Sequence, residues 1–309
     1  MGEERTRPEL AQVLAGLARN RTPGWNYPGN FLDISFDEVA PGGARLSLEP
    51  GPHCVLADGQ VHLGALGMLA DVALAAAMRP QVGLATRMAT VSMSLSLTGM
   101  PLRGRLVAES RFDGFVQAAA GQQGNVRGEM RADGVLIGTA NASFVAIGAG
   151  EGMAPMAMSP SRRDGQLPSL DVGELTEPER AIHERAQAAL QPPQGSSFIE
   201  QFWGILPQPV EGGAACDFAN GLHVGNRVGH LQGGLGWALA AITASAALGD
   251  DWRLVGASAW YLNPGKGERL AARSQILQSG RLVAIVGARI ADSAGATVIE
   301  AVTQHARRG

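Results

Sequence analysis

Apolar and polar residues alternate strictly over 90–97, Thr-Val-Ser-Met-Ser-Leu-Ser-Leu, the two-residue period of a strand with one buried face. The pattern changes altogether over 63–78, where every residue except Asp71 is apolar or small. A segment apolar on every face predicts a helix buried all round, and this run is shorter than the ~20 residues that a bilayer span requires. Further strands are predicted as a pair within 31–49, then over 105–112, over 116–130 with a glycine break, and over 135–147 after the turn Ala132-Asp133-Gly134. The second half predicts a helix over 233–248 and strands over 254–262, 268–277, 282–290 and 296–305. A short amphipathic helix within the first twenty residues precedes the first set, and a helical stretch over 177–190 precedes the second.

The order of elements repeats, and so do the residues. Ile34 and Val39 match Ile205 and Val210 at an offset of 171, and Gly42-Gly43 match Gly212-Gly213 at 170. The offset of 170 also lays 62–71 on 232–241, with Gly64 on Gly234. A constant offset of this kind marks an internal duplication. The stretch 148–169, rich in Gly, Pro, Met and Ser and without a period, reads as a linker. The expected organisation is an N-terminal domain over 1–149, a linker over 150–171 and a C-terminal domain over 172–309. One helix wrapped by one antiparallel sheet, twice over, is an α+β plan.

Composition narrows the picture. A chain of 309 residues fits about two domains of ~150 residues. With 45% hydrophobic and 17% charged residues it has the material for a packed core, which excludes disorder as its overall state. The net charge of −3 and sequence pI near 6.1 point to no nucleic-acid partner. Cys54 and Cys216 form no disulfide framework, and no signal peptide opens the chain, so a soluble cytoplasmic protein with no membrane partner is expected. The six histidines show no metal-binding spacing, and Gly256-Ala257-Ser258-Ala259-Trp260 lacks the second glycine of a nucleophile elbow. Gly234-Leu235-Gly236 follows no apolar strand, so no dinucleotide, and no cofactor of any kind, is expected.

Asp71 is the sharpest chemical signal. A lone carboxylate in an apolar helix is costly unless something satisfies or uses it, and desolvation raises its pKa toward that of a general base. The plain alternative is an acid that caps backbone or lies at an exposed edge. The spacing His62-x-Gly64-x(6)-Asp71 resembles the hotdog-fold thioesterases of the phenylacetate-degradation type, which carry His-Gly-Gly and an acid nine residues after the histidine. Here Leu63 replaces the first glycine.

Taken over the whole chain, the resemblance implies a tandem (double) hotdog acyl-CoA thioesterase, with two central helices wrapped by one continuous antiparallel sheet and a homodimer as a possible assembly. It implies catalytic roles for Asp71, for Asn226 (six residues before Gln232) in polarising the carbonyl, for the amides of Gly233 and Gly234, and for Thr90. It implies substrate contacts from His62, Gly64, Gln232, Met68 and Trp237. A tunnel for a medium-length or aromatic acyl group is expected along Ala65, Met68, Ala75, Met93, Ala238 and Leu239, limited by Trp237 or Trp260. Ala241 stands where the second copy would carry the acid, and Leu56 where the first would carry the asparagine. The losses are complementary and predict one composite site.

Two other readings stay open. One is a hotdog hydratase or dehydratase using His62 with Asp71, and the other is a non-catalytic acyl-CoA-binding protein. The strict alternation also places Thr90 opposite Val91, Met93 and Leu95, facing away from the helix.

Overall fold

The computed structural model describes residues 7–22, 26–117, 121–149, 155, 158 and 168–309. Most of the expected linker lies outside these residues. The first half runs α1 (Pro8–Asn20), α2 (Tyr27–Phe31), β1 (Ser35–Ala40), β2 (Gly43–Leu48), α3 (Leu63–Val82), β3 (Thr86–Leu97), β4 (Leu106–Phe115), β5 (Gln122–Ala132) and β6 (Val135–Ala149). The second repeats the order as α4 (Glu177–Ala189), α5 (Phe198–Trp203), β7 (Gln208–Val210), β8 (Gly213–Ala219), α6 (Gly233–Ala246), β9 (Trp252–Tyr261), β10 (Arg269–Ser279), β11 (Val283–Asp292) and β12 (Thr297–Arg307).

All twelve strands form one sheet in the order β1-β2-β4-β5-β6-β3-β9-β12-β11-β10-β8-β7, which reads as the same six-strand series from either edge. Each half contributes six strands, and the halves join antiparallel where β3 meets β9, from Ser92 opposite Trp260 to Ser96 opposite Gly256. Near the centre of that seam the Ser94 hydroxyl donates to Ser258 Oγ at 2.9 Å.

α3 packs on the strands of its own half and α6 on those of the second, and the two helices pack against each other. They cross where Gly67 meets Gly234. A Cβ on Gly67 would lie 2.4 Å from the Gly234 carbonyl oxygen, and one on Gly234 would lie 2.2 Å from the Gly67 oxygen. Only glycine permits that approach.

Several elements depart from the expected bounds. α3 continues past residue 78 to Val82, with Pro80 inside its last turn, and it stops at Gly83 with φ +92°. By length and composition α3 could cross a membrane, but most of it is buried inside the fold. The strand expected from 116 begins only at Gln122, because β4 itself runs on to Phe115. The short helices α2 and α5 carry their own caps. Asn26 Oδ1 accepts from the Gly29 amide, and Glu200 reaches back to the Ser197 amide.

Matching bulges interrupt the inner strands. Between β3 and β6 the register slips after Thr90, leaving Val91 as the extra residue, and between β9 and β12 it slips so that Val255 is extra. The bulges make Thr90 and Leu254 equivalent. They also reverse the alternation, which places Thr90 on the same face as Met93 and Leu95, toward the helices. The expectation that Thr90 faces away is therefore corrected: strict alternation holds only for an unbulged strand.

Candidate active site

Asp71 lies on the third turn of α3, only 6% exposed. Its Oδ2 accepts from Gln232 Nε2 at 2.7 Å, and its Oδ1 accepts from the Thr90 hydroxyl at 3.1 Å. Gln232 is the N-cap of α6. Its Oε1 accepts from the amides of Gly234 (2.7 Å) and Leu235 (3.3 Å), so the side-chain NH2 must point to the carboxylate. The capping residue of one half thus orients the acid of the other.

The close fit depends on Gly233. A Cβ there would lie 2.9 Å from Asp71 Oδ2 and 3.0 Å from Thr90 Oγ1. As the first residue of α6, Gly233 has no intrahelical acceptor for its N–H, and that amide stands at the positive end of the helix. The Tyr261 hydroxyl donates to the Gly233 carbonyl at 2.7 Å and holds the turn in place. Burial raises the Asp71 pKa, while the hydrogen bonds from Gln232 and Thr90 pull against it. Burial, with the Asp71 charge nearby, also pushes the Tyr261 pKa well up, so the phenol stays a donor.

Asp71 opens on a cleft of about 390 Å³ between the halves, which Thr90, Gln232, Gly233, Tyr261 and Asn226 also line. Asn226 heads the turn 226–230. Its Oδ1 accepts from the Val228 amide at 3.0 Å and the His230 amide at 3.1 Å, so what it offers a ligand is its Nδ2. Asp71 and Asn226 therefore face one cleft. The Gly234 N–H, in contrast, is occupied by Gln232.

The remaining expected contacts lie elsewhere. His62 caps α3, its Nδ1 accepting from the Gly64 amide at 3.0 Å. It is 2% exposed, with its pKa held down to about 4 by burial and its ring against Trp203. A Cβ on Gly64 would lie 2.4 Å from Trp203 Cζ3, so this glycine serves packing. Met68 is fully buried beside the Gly67–Gly234 crossing, where α6 covers it. Trp237 is fully buried and donates Nε1 to the Ala257 carbonyl at 3.1 Å. These four are corrected from substrate contacts to capping and core residues.

Of the expected tunnel only Ala75 lines the cleft, since Ala65, Met93, Ala238 and Leu239 are core and Trp260 is exposed. The cleft instead follows the α3 face of Asp71, Val72, Ala75 and Arg79, across from Phe144 and Tyr261. Tyr261 and Arg79 escaped the sequence reading. Tyr261 ends an ordinary strand, and Arg79 follows the apolar run with no motif around it.

A second cleft, of about 830 Å³, is lined by Leu56, Leu63, Leu97, Ile242 and Leu254. The 170-residue offset makes Leu56, Leu63 and Ile242 the counterparts of Asn226, Gly233 and Val72. The bulges make Leu254 the counterpart of Thr90 and, at the same offset, Leu97 that of Tyr261.

No protein-family model and no curated protein matches the chain. Solved structures do match it. One is described as an oleoyl thioesterase from Lactobacillus plantarum (13% identity, 90% of this chain and 99% of that one, TM-score 0.54). Another is the 12:0-ACP thioesterase from Umbellularia californica (10% identity, 88% of this chain and 100% of that one, TM-score 0.52). A third is a conserved hot dog-fold protein of unknown function from Alicyclobacillus acidocaldarius (9% identity, 89% and 96%, TM-score 0.54). The likeness is one of fold, and it agrees with the sheet and helices described above: the chain has a double hotdog fold.

Proposed function

We propose that the protein is a thioester hydrolase of the phenylacetate-degradation type, cleaving acyl-CoA in the cleft around Asp71. The observation that carries this reading is the Asp71 carboxylate, held between Gln232 Nε2 and Thr90 Oγ1 at the N-terminus of α6. Each of these donors takes one lone pair, which leaves the carboxylate further acceptor sites for a water. Burial raises its pKa, which makes the ionised carboxylate a stronger proton acceptor.

In the proposed reaction Asp71 takes a proton from that water as the water oxygen bonds to the thioester carbonyl carbon. The carbonyl electron pair moves onto oxygen, where the Gly233 N–H, the α6 dipole and Asn226 Nδ2 stabilise it. Collapse of the tetrahedral intermediate breaks the C–S bond, and the proton on Asp71 passes to the departing thiolate. The products are a carboxylic acid and coenzyme A.

The hydratase reading needs His62 beside Asp71, whereas His62 caps α3 and packs on Trp203. The test is thiol release from a panel of acyl-CoA substrates by wild type and Asp71→Asn. Turnover by wild type and its near loss in the variant are expected; full activity in Asp71→Asn would overturn the assignment.

A further inference from the structure

The cleft holds a cation that the chemistry around Asp71 does not use. Arg79 follows Asp71 by two turns on α3, and with Val72 and Ala75 the two share the face that lines the cleft. At 1.5 Å per residue the eight positions place Arg79 about 12 Å along the helix from Asp71.

Arg79 is 7% exposed. One terminal nitrogen donates to the Thr86 carbonyl, and its Nε is buried without a hydrogen-bond partner. Burial and the nearby charge of Arg227 lower its pKa to about 10, so it remains a cation at neutral pH. No ion pair of Arg79 occurs among the described residues. Among the described residues that line the cleft, Asp71 is the one carboxylate, against Arg79, Arg87 and Arg227. The Asp71 oxygens are already turned to Gln232 and Thr90, so they do not neutralise this end. A buried guanidinium with an unmade hydrogen bond and a like charge beside it is costly to the fold alone, and a planar fork of this kind suits a carboxylate or phosphate.

We infer that this end of the cleft is an anion subsite, in which Arg79, set about 12 Å along the helix from Asp71, binds a second, negatively charged group of the substrate. This inference rests on the hydrolase reading and names its substrate class: a thioester with a second, anionic group. A carboxylate at the far end of a medium-length acyl chain and a phosphate of the carrier thiol share this chemistry.

The experiment measures kcat/KM for octanoyl and suberoyl thioesters, each as the CoA and as the phosphate-free N-acetylcysteamine form. Wild type, Arg79→Met and Arg79→Lys are compared. A bound carboxylate predicts a preference for suberoyl on both carriers, reduced about 10- to 100-fold in Arg79→Met and partly kept in Arg79→Lys. A bound carrier phosphate predicts that Arg79→Met weakens both CoA thioesters alike and neither N-acetylcysteamine thioester. If Arg79→Met changes neither the charge preference nor the carrier preference, the anion subsite is overturned.

Calorimetric titration with suberate and octanoate, and with coenzyme A itself, separates this outcome from a failure of the hydrolase reading. Wild type that cleaves none of the four thioesters removes the hydrolase. Weaker binding of suberate or coenzyme A in Arg79→Met still supports the subsite, and unchanged binding of all three ligands overturns it. Arg79→Met removes a desolvated charge at similar length, so its melting temperature reports whether the fold is intact.

Discussion

The two clefts are built from the same backbone parts with the halves exchanged, yet only in the first do the equivalent positions carry an acid and its hydrogen-bond partners. Around the first stand Asp71 of α3, Gln232 and Gly233 of the α6 start, Thr90 of β3 and Tyr261 of β9. Their counterparts around the second are Ala241, His62, Leu63, Leu254 and Leu97, of which the leucines line the cleft. The substitutions are coupled by space. At Gly233 a side chain would strike the Asp71 carboxylate, whereas at Leu63 the counterpart of that carboxylate is the methyl group of Ala241. Acid and glycine are one requirement, and where the acid is gone the glycine is released.

The turns ahead of the two helices teach the same lesson about Asn226. Both close with the same backbone bonds, Asn226 N–H to the His230 carbonyl and Leu56 N–H to the Gln60 carbonyl, each at 2.7 Å. In the first half Asp58 Oδ1 accepts from the Gln60 amide, whose counterpart in the second half, the His230 amide, donates to Asn226 Oδ1. The turn therefore forms without an asparagine at its head, and in this reading Asn226 is there for its ligand-facing amide.

Substitutions that make the first cleft resemble the second test this contrast. The largest effect is expected from Asp71→Asn, with turnover falling about 10²–10⁴-fold as the proton acceptor is lost. The carboxamide still fits, its Oδ1 accepting from Gln232 and its Nδ2 donating to Thr90. Because burial raises the Asp71 pKa, the folded state holds that proton more tightly than the unfolded chain does. Stability then falls as pH rises from the ordinary carboxylate value through the raised one. Thermal melts of Asp71→Asn should lack this fall and match or exceed wild type at neutral pH, while wild-type turnover should drop as pH falls through the raised pKa.

Asn226→Leu copies Leu56 and removes one oxyanion donor, for an expected loss of about 10²–10³-fold in kcat. Because Asp58 supplies in the sister turn the acceptor that Val228 cannot, the double variant Asn226→Leu/Val228→Asp copies that turn fully and should show the same loss with the circular dichroism spectrum retained. Gly233→Ala adds the Cβ that the carboxylate excludes, and displacement of Asp71 by a fraction of an ångström should cost up to about 10²-fold in kcat. If Gly233→Ala restores its activity when combined with Asp71→Glu, or shows no loss at all, the coupling of glycine to acid is wrong.

His62→Ala is expected to do least to the chemistry. It should cost about 1 kcal/mol or more of stability in denaturant titration through the lost α3 cap, with kcat unchanged. A loss of kcat equal to that of Asp71→Asn would move the working site to the other cleft.

What could be read without coordinates was whatever rests on local period or on chain-wide repetition. The helix 63–78 was legible because apolarity on every face has one physical outcome, burial all round. The doubled plan was legible because a fixed offset carries Gly64 onto Gly234 and Asp71 onto Ala241. Side-chain direction within an element was less secure. One extra residue at Val91 turns Thr90 from the outer face to the inner, and such bulges leave no mark on hydropathy.

The sequence by itself determined two antiparallel α+β units, a buried acid on the first central helix and its absence from the second. Only the tertiary structure decided which groups meet that acid. Gln232 is 161 residues from Asp71, and no local pattern encodes the crossing of α3 and α6 that brings the two within 2.7 Å. The same crossing covers Met68, and core packing encloses Trp237, while the cleft runs along the face that ends at Arg79. Period follows from the covalent chain, whose geometry repeats every few residues. A site built across two halves follows from how their surfaces pack, which is settled only when both have folded against each other.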